Sequence, residues 1–134
     1  MPKVFWGSSV EINPDGKYLA MNVDMERKHA WSFFSFLRQA QTMIPELRES
    51  KGIIGYSGNA EMIFGKKARF FSVWESERDL YRFAQSQSHS KAMVKFKPAA
   101  SHFKLVKWEI SGSDIPKKWK GALEVIPSSM VPQE

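Results

Sequence analysis

Cysteine is absent from this chain of 134 residues, which removes disulfides, thiolate nucleophiles, iron–sulfur clusters, thiolate-ligated haem and cysteine zinc sites together. Long apolar runs are missing as well. No stretch approaches the roughly 20 residues of a membrane-spanning helix, and the N-terminus lacks the basic-then-apolar layout of a signal peptide. The expectation is a soluble, cytoplasmic protein with no membrane partner. Histidine is scarce: His29, His89 and His102 stand 60 and 13 residues apart, so no two share a helix face in the spacing that holds a metal ion. Glycine-rich phosphate loops, His-Glu-x-x-His and Gly-x-Ser-x-Gly are all lacking, which argues against nucleotide-phosphate and serine-hydrolase chemistry.

What is present suits one domain. A hydrophobic content of 43% at this length builds a single core. The net charge of +6 is uneven: residues 91–120 hold eight lysines against Glu109 and Asp114, and the rest of the chain is neutral. Such a segment reads as a solvated basic face or as an attractor of anions.

Two hydrophobic periods alternate along the chain. Residues 1–17 form an arm or a short extra strand around Val4-Phe5-Trp6, closed by the Pro14-Asp15-Gly16 turn signal. From Tyr18 to Met25 the residues alternate, with Leu19, Met21, Val23 and Met25 on one face and Tyr18, Ala20, Asn22 and Asp24 on the other. Ala30, Phe33, Leu37, Ala40, Ile44 and Leu47 then recur at helical steps. Pro45 should kink or break this helix near Thr42 to Ile44, and Gly52 ends it. Residues 53–64 and 69–75, joined through Gly65-Lys66-Lys67, read as a bulged antiparallel hairpin.

Ser76-Glu77-Arg78-Asp79 has the form of a capping box, so a helix should start there and run through Leu80, Phe83 and Ala84. A break at Ser86 to Ser88 precedes a second short helix carrying Ala92, Met93 and Phe96, which stops at Pro98. Phe103 to Ile110 alternates again, and the spacing from Trp119 to Ile126 predicts a last helix before a frayed tail.

The order β-α-β-β-α-β predicts an α+β, ferredoxin-like split unit over 18–111: a four-stranded antiparallel sheet in strand order 4-1-3-2 with two helices on one face. Residues 112–134 add a C-terminal helix and tail. Aromatic and aliphatic residues fall on both sheet faces, so the open face calls for cover, most simply from a second copy in a homodimer. RNA-recognition domains share the element order. Their aromatic octamer needs a partner aromatic on the first strand, where this chain has Ala20, which argues against a nucleic-acid partner.

Phe71-Ser72-Val73-Trp74-Glu75-Ser76-Glu77, followed by Leu80, Phe83 and Ser88-His89-Ser90-Lys91-Ala92-Met93, resembles the dimeric α/β-barrel superfamily. That superfamily contains antibiotic-biosynthesis-type monooxygenases and a spheroidene-monooxygenase-like branch. The resemblance spans about Tyr18 to Ile110. It implies two ferredoxin-like sheets paired into a barrel, with a pocket for a small hydrophobic or aromatic molecule between each sheet and its helices. Some such proteins are cofactor-free oxygenases and others cleave haem. The haem-cleaving members match this chain at Asn22. They depart from it where Phe83 replaces their tryptophan and Met93 their haem-ligating histidine.

The candidate catalytic groups are therefore His89, an imidazole able to exchange a proton near neutral pH, and Asn22, an amide that must find partners if buried. Trp74, Phe83, Met93, Trp31 and Phe34 are the candidate substrate-binding residues, with the Trp74 indole N–H free to bond an oxygenated ligand. No cofactor is required by this reading; the alternative is a non-catalytic dimer of the same fold that binds a small molecule or haem. His29 and His102 read as surface residues.

Overall fold

The computed structural model describes residues 3–27, 33–60, 67–86, 89–91 and 100–120. Five strands and two helices follow in the order β1 (Lys3–Gly7), β2 (Lys17–Arg27), α1 (Phe33–Arg48), β3 (Ile53–Ala60), β4 (Lys67–Trp74), α2 (Glu77–Ala84) and β5 (Ala100–Ser111). All described pairings are antiparallel, and the sheet order is β1-β3-β4-β2-β5. Its last four strands reproduce the split unit expected from the alternating segments. The expected four-stranded sheet gains a fifth member, because the Val4-Phe5-Trp6 segment pairs with β3 from Lys3↔Asn59 to Gly7↔Gly55. Pairing satisfies its backbone groups, which an unpaired arm would have left to water.

Strand parity assigns every side chain to a face. Leu19 opposes Trp74, Met21 opposes Ser72 and Val23 opposes Phe70. These residues face the helices, where Leu47 of α1 and Leu80 and Phe83 of α2 pack against Ile53, Tyr56 and Trp74. On the opposite face, Ala20, Phe71, Val73 and Ile110 form a second core with Ile54. Ile54 reaches that face through the predicted bulge: the register shifts between Ile53 and Gly55, so Ile54 is the extra residue and β3 turns its next side chain over.

α1 is tied down at its C-terminal end. Arg48 Nε donates to the hydroxyl of fully buried Tyr56 at 2.8 Å, and Tyr56 stacks between Trp6 and Phe70 at 5.9 and 5.5 Å. The helix does not break at Pro45 but runs on to Arg48. Pro45 and Gln41 are both exposed, so the Gln41 carbonyl that loses its helical donor meets water instead, which lowers the cost of the proline.

α2 starts as its capping signal predicts. Ser76 Oγ accepts from the Asp79 N–H at 3.2 Å and donates to Asp79 Oδ2 at 2.9 Å. The Asp79 carboxylate also lies against Gly52, whose φ of +86° and bare Cα admit it. On the outer flank, Lys107 of β5 donates to the Tyr81 hydroxyl, sits 4.5 Å above that ring and lies 3.5 Å from Glu77. The Tyr81 hydrogen bond, against a small opposing effect of burial and with help from the Glu77 charge, holds this ammonium above the ordinary lysine range. One lysine of the basic segment is thus spent on docking α2.

Helical backbone resumes at 89–91, closed by the Ser90 N–H on the Ser86 carbonyl at 2.9 Å. The remainder of the expected second helix, with Met93, lies outside the described residues, as do the 61–66 connection and most of the expected last helix. A 3-10 turn at Gly112–Asp114 leads into 115–120, where no helix forms.

The face away from the helices is not left bare. Ile12, Ile115 and Trp119 pack onto the Ala20–Phe71–Val73–Ile110 core. The chain itself thus covers part of this face.

Replacing the cap, Ser76→Ala, should cost about 1 kcal/mol of unfolding free energy. Urea denaturation monitored by far-ultraviolet dichroism checks this, and an unchanged midpoint would mean that Asp79 holds the helix start alone.

Candidate functional site

Three of the expected site residues meet on the helix side. Trp74 closes β4, and its ring lies 5.7 Å from Phe83 of α2; Phe83 in turn meets the His89 imidazole edge-on at 5.3 Å. The row runs outward from core to surface, since Trp74 is 1% exposed and His89 is half-buried. Leu80 and Phe83 fall on the inner face of α2 because they lie three residues apart, and the Ser76 cap sets the phase.

His89 is held by its own chain. Its backbone N–H donates to Ser86 Oγ at 3.3 Å, and Nδ1 lies 3.0 Å from the Ala84 carbonyl. A carbonyl can only accept, so Nδ1 carries the proton and Nε2 keeps the lone pair in the neutral ring. Desolvation lowers the imidazole below its ordinary value of 6.5, and the Ala84 hydrogen bond offsets part of that. The result is a neutral ring of fixed tautomer whose accepting nitrogen is Nε2.

Trp74 does not offer the donor expected of it. Its indole N–H is consumed by Ser72 Oγ at 3.0 Å inside the core. Ser72 lies two residues back on the same strand face, which is the position from which a hydroxyl reaches that indole. Trp74 and Phe83 therefore present ring surface and no polar contact.

Asn22 lies across the sheet from this group. It pairs with Phe71 and Val106, and its parity is that of Ala20 rather than of Leu19 and Met21. It is 1% exposed and satisfied locally: Nδ2 donates to Asp24 Oδ2 at 3.0 Å, and Arg69 Nε donates to its Oδ1 at 3.1 Å. Arg69 also lies 3.6 Å from Asp24 Oδ1, which it opposes directly across the β2–β4 ladder. The expected convergence of Asn22 and His89 on one pocket fails because one step of strand parity puts them on opposite faces. Asn22 instead joins a closed Asn22–Asp24–Arg69 network. Its partners were readable as i+2 on its own strand; Arg69 required the register.

Trp31 and Met93 lie outside the described residues, and Phe34 is described only as backbone of α1. A haem has no matched set here. The one signature residue retained, Asn22, faces away from the helices, and Phe83 is filled against Trp74.

Beside Phe83 a cleft of about 150 Å³ opens between the end of α1 and α2, lined by Glu46, Ser50, Lys51, Asp79, Arg82 and Ser86. Asp79 accepts there from Arg82 at 3.2 Å. The volume falls below the ~300 Å³ at which small-molecule pockets begin, and the lining is of mixed charge. Among the described residues no group of His, Asp and Glu is arranged to hold a metal ion, and no helix is long and apolar enough to cross a membrane.

No protein-family model matches the sequence, and no curated protein matches it. Solved structures do. A candidate monooxygenase of Fusobacterium nucleatum subsp. nucleatum superposes with a TM-score of 0.62 at 12% identity, over 75% of this chain and 45% of its own length. This chain thus spans less than half of that protein. A candidate antibiotic biosynthesis monooxygenase from Nitrosomonas europaea gives 0.58 at 6% identity, covering 74% of this chain and 93% of that one. An antibiotic biosynthesis monooxygenase gives 0.59 at 9% identity over 73% and 99%. At these identities the likeness establishes the fold: this chain has the α+β, ferredoxin-like architecture of antibiotic-biosynthesis-monooxygenase-like proteins, as the Phe71–Met93 resemblance implied.

Two tests follow from the two polar groups. The folded His89 imidazole titrates below its unfolded value, so the unfolded state takes up a proton first as pH falls through about 6.5. His89 thus contributes stability present above that pH and lost on acidification, until the folded ring also protonates. The urea midpoint of the wild type should fall more steeply than that of His89→Gln between about pH 7.5 and about pH 5; parallel curves would contradict the assignment. Arg69→Met should leave the buried Asn22 oxygen unpaired at a cost of about 1–3 kcal/mol, measured by the same denaturation at neutral pH.

Proposed function

We propose that this chain is a monooxygenase-like protein that takes a small hydrophobic or aromatic organic molecule between its sheet and helices and works without a cofactor, as a homodimer formed through the sheet. The observation that carries this reading is the His89 imidazole: a neutral ring with Nδ1–H fixed on the Ala84 carbonyl, set at the outer end of a buried Trp74–Phe83 aromatic row. The shared fold with monooxygenases agrees with it.

The chemistry is that of a base beside an apolar surface. Nε2 accepts a proton from an acidic C–H or phenolic O–H of the substrate, leaving a resonance-stabilised anion that the aromatic wall shields from water. The anion supplies the electrons for a new carbon–oxygen bond to O2. The peroxide formed takes back the proton and loses water, so one oxygen atom stays on the organic product as a carbonyl. The Ala84 carbonyl acts by keeping Nε2 the basic nitrogen, and Ser86 holds the His89 backbone in place. Asn22 has no part in this scheme.

A second reading, a non-catalytic small-molecule carrier of the same fold, is favoured by the polar poverty of the wall, since Trp74 and Asn22 both spend their hydrogen bonds internally. Oxygen uptake separates the two. With a panel of readily ionised phenols and hydroquinones, the protein should accelerate O2 consumption above the buffer rate. His89→Ala should lower kcat by about 10²-fold or more, the usual weight of a general base, with KM little changed. Binding without accelerated uptake would assign the carrier role, and uptake unaltered in His89→Ala would remove His89 as the base. Sedimentation at micromolar protein tests the dimer: a mass near 15.4 kDa with intact dichroism would rule it out.

A further inference from the structure

On the face away from the helices, β1 and β3 bring two glycines together: Gly7 pairs directly with Gly55. The indole of Trp119 lies against both. Cγ, Cδ1 and Nε1 cover Gly7, while Cδ2, Cε2 and Cζ2 cover Gly55, so closely that neither position has space for a Cβ. The pyrrole half of the ring thus rests on one strand and the benzo half on the next. At its side Phe71 stacks at 6.2 Å and 28°, and Trp108 continues the row 6.0 Å beyond Phe71. Backbone forms the floor and aromatic rings form the wall.

Among the described residues, the segment that delivers the indole is held at its start by backbone hydrogen bonds. The 3-10 turn before it is pinned by Gly112 N–H on Gly16 O at 3.0 Å and Ser113 N–H on Pro14 O at 3.1 Å. None of the described backbone hydrogen bonds involves 116–120. Lys117, Lys118 and Lys120 are exposed around Trp119, which is itself only partly buried, and among the described residues packing contacts of the ring seat it. When the indole leaves, a floor without side chains has nothing to collapse into the space, and a flat recess of indole size remains.

We propose that the Gly7–Gly55 recess is a binding site for a planar aromatic ring, and that Trp119 is its built-in competitor, closing the site until a ligand of the same shape displaces it. This site is on the other side of the sheet from His89, does not depend on the oxygenase reading, and requires that Trp119 rather than a second copy cover this part of the face. A ligand that binds only the open form sees an affinity reduced by the open fraction. If Trp119 is seated about nine-tenths of the time, its removal should tighten binding about tenfold.

Indole is the probe. Titrated calorimetrically, Trp119→Ala should bind one indole about tenfold more tightly than the wild type, and adding Gly7→Leu, which fills the floor from the edge strand, should abolish that binding. The proposal is overturned if folded Trp119→Ala does not bind indole, if the wild type binds equally well, or if Gly7→Leu leaves binding intact. Should Trp119→Ala fail to fold, the intact chain labelled with 5-fluorotryptophan decides: the fluorine line absent from Trp119→Phe must shift on adding indole, and a line unmoved at saturating indole overturns the idea.

Discussion

The pairing of Leu19 with Trp74 sets the parity of the central strands, and most of what this molecule can do follows from it. β2 lies between β4 and β5, so one register decides the facing of three strands at once. With Trp74 toward the helices, Ser72 and Phe70 follow it, and Phe71, Val73 and Arg69 must turn the other way. A slip of one residue in β4 would turn the Arg69 guanidinium toward the helix side and Trp74 away from it. Desolvating that charge makes the slip costly.

Parity also divides the chemistry. The helix side holds a dry row of rings ending in one constrained imidazole, and the far side holds a closed amide–carboxylate–guanidinium network beside an aromatic platform. Three buried polar groups found partners on their own face: the Trp74 indole in Ser72, the Tyr56 hydroxyl in Arg48, the Asn22 amide in Asp24 and Arg69. Buried donors and acceptors left unmade are costly, which is why polar residues that look available in a sequence are so often already engaged. The imidazole differs because its ring has two nitrogens, and among the described residues the chain occupies one.

The bulge at Ile54 shows how a small local irregularity serves both layers. It lets consecutive isoleucines fill different cores, Ile53 with the helices and Ile54 with the far side.

Local signals carried the elements well. Strand alternation in 18–25 and 103–110, the Ser76–Asp79 cap and the glycine-marked bulge are short-range effects of backbone geometry and capping, and they stand as read. So does the resemblance of Phe71–Met93 to its fold, because a strand leading into a capped helix is one contiguous unit. What the sequence by itself determined was therefore the order of elements and the apolar face of each. Only the tertiary structure decided that the N-terminal segment is a fifth strand, that Asn22 and His89 stand on opposite faces, and that Trp119 covers the sheet. These are questions of register and of contacts between distant residues, set by how whole faces pack, and no local spacing records them.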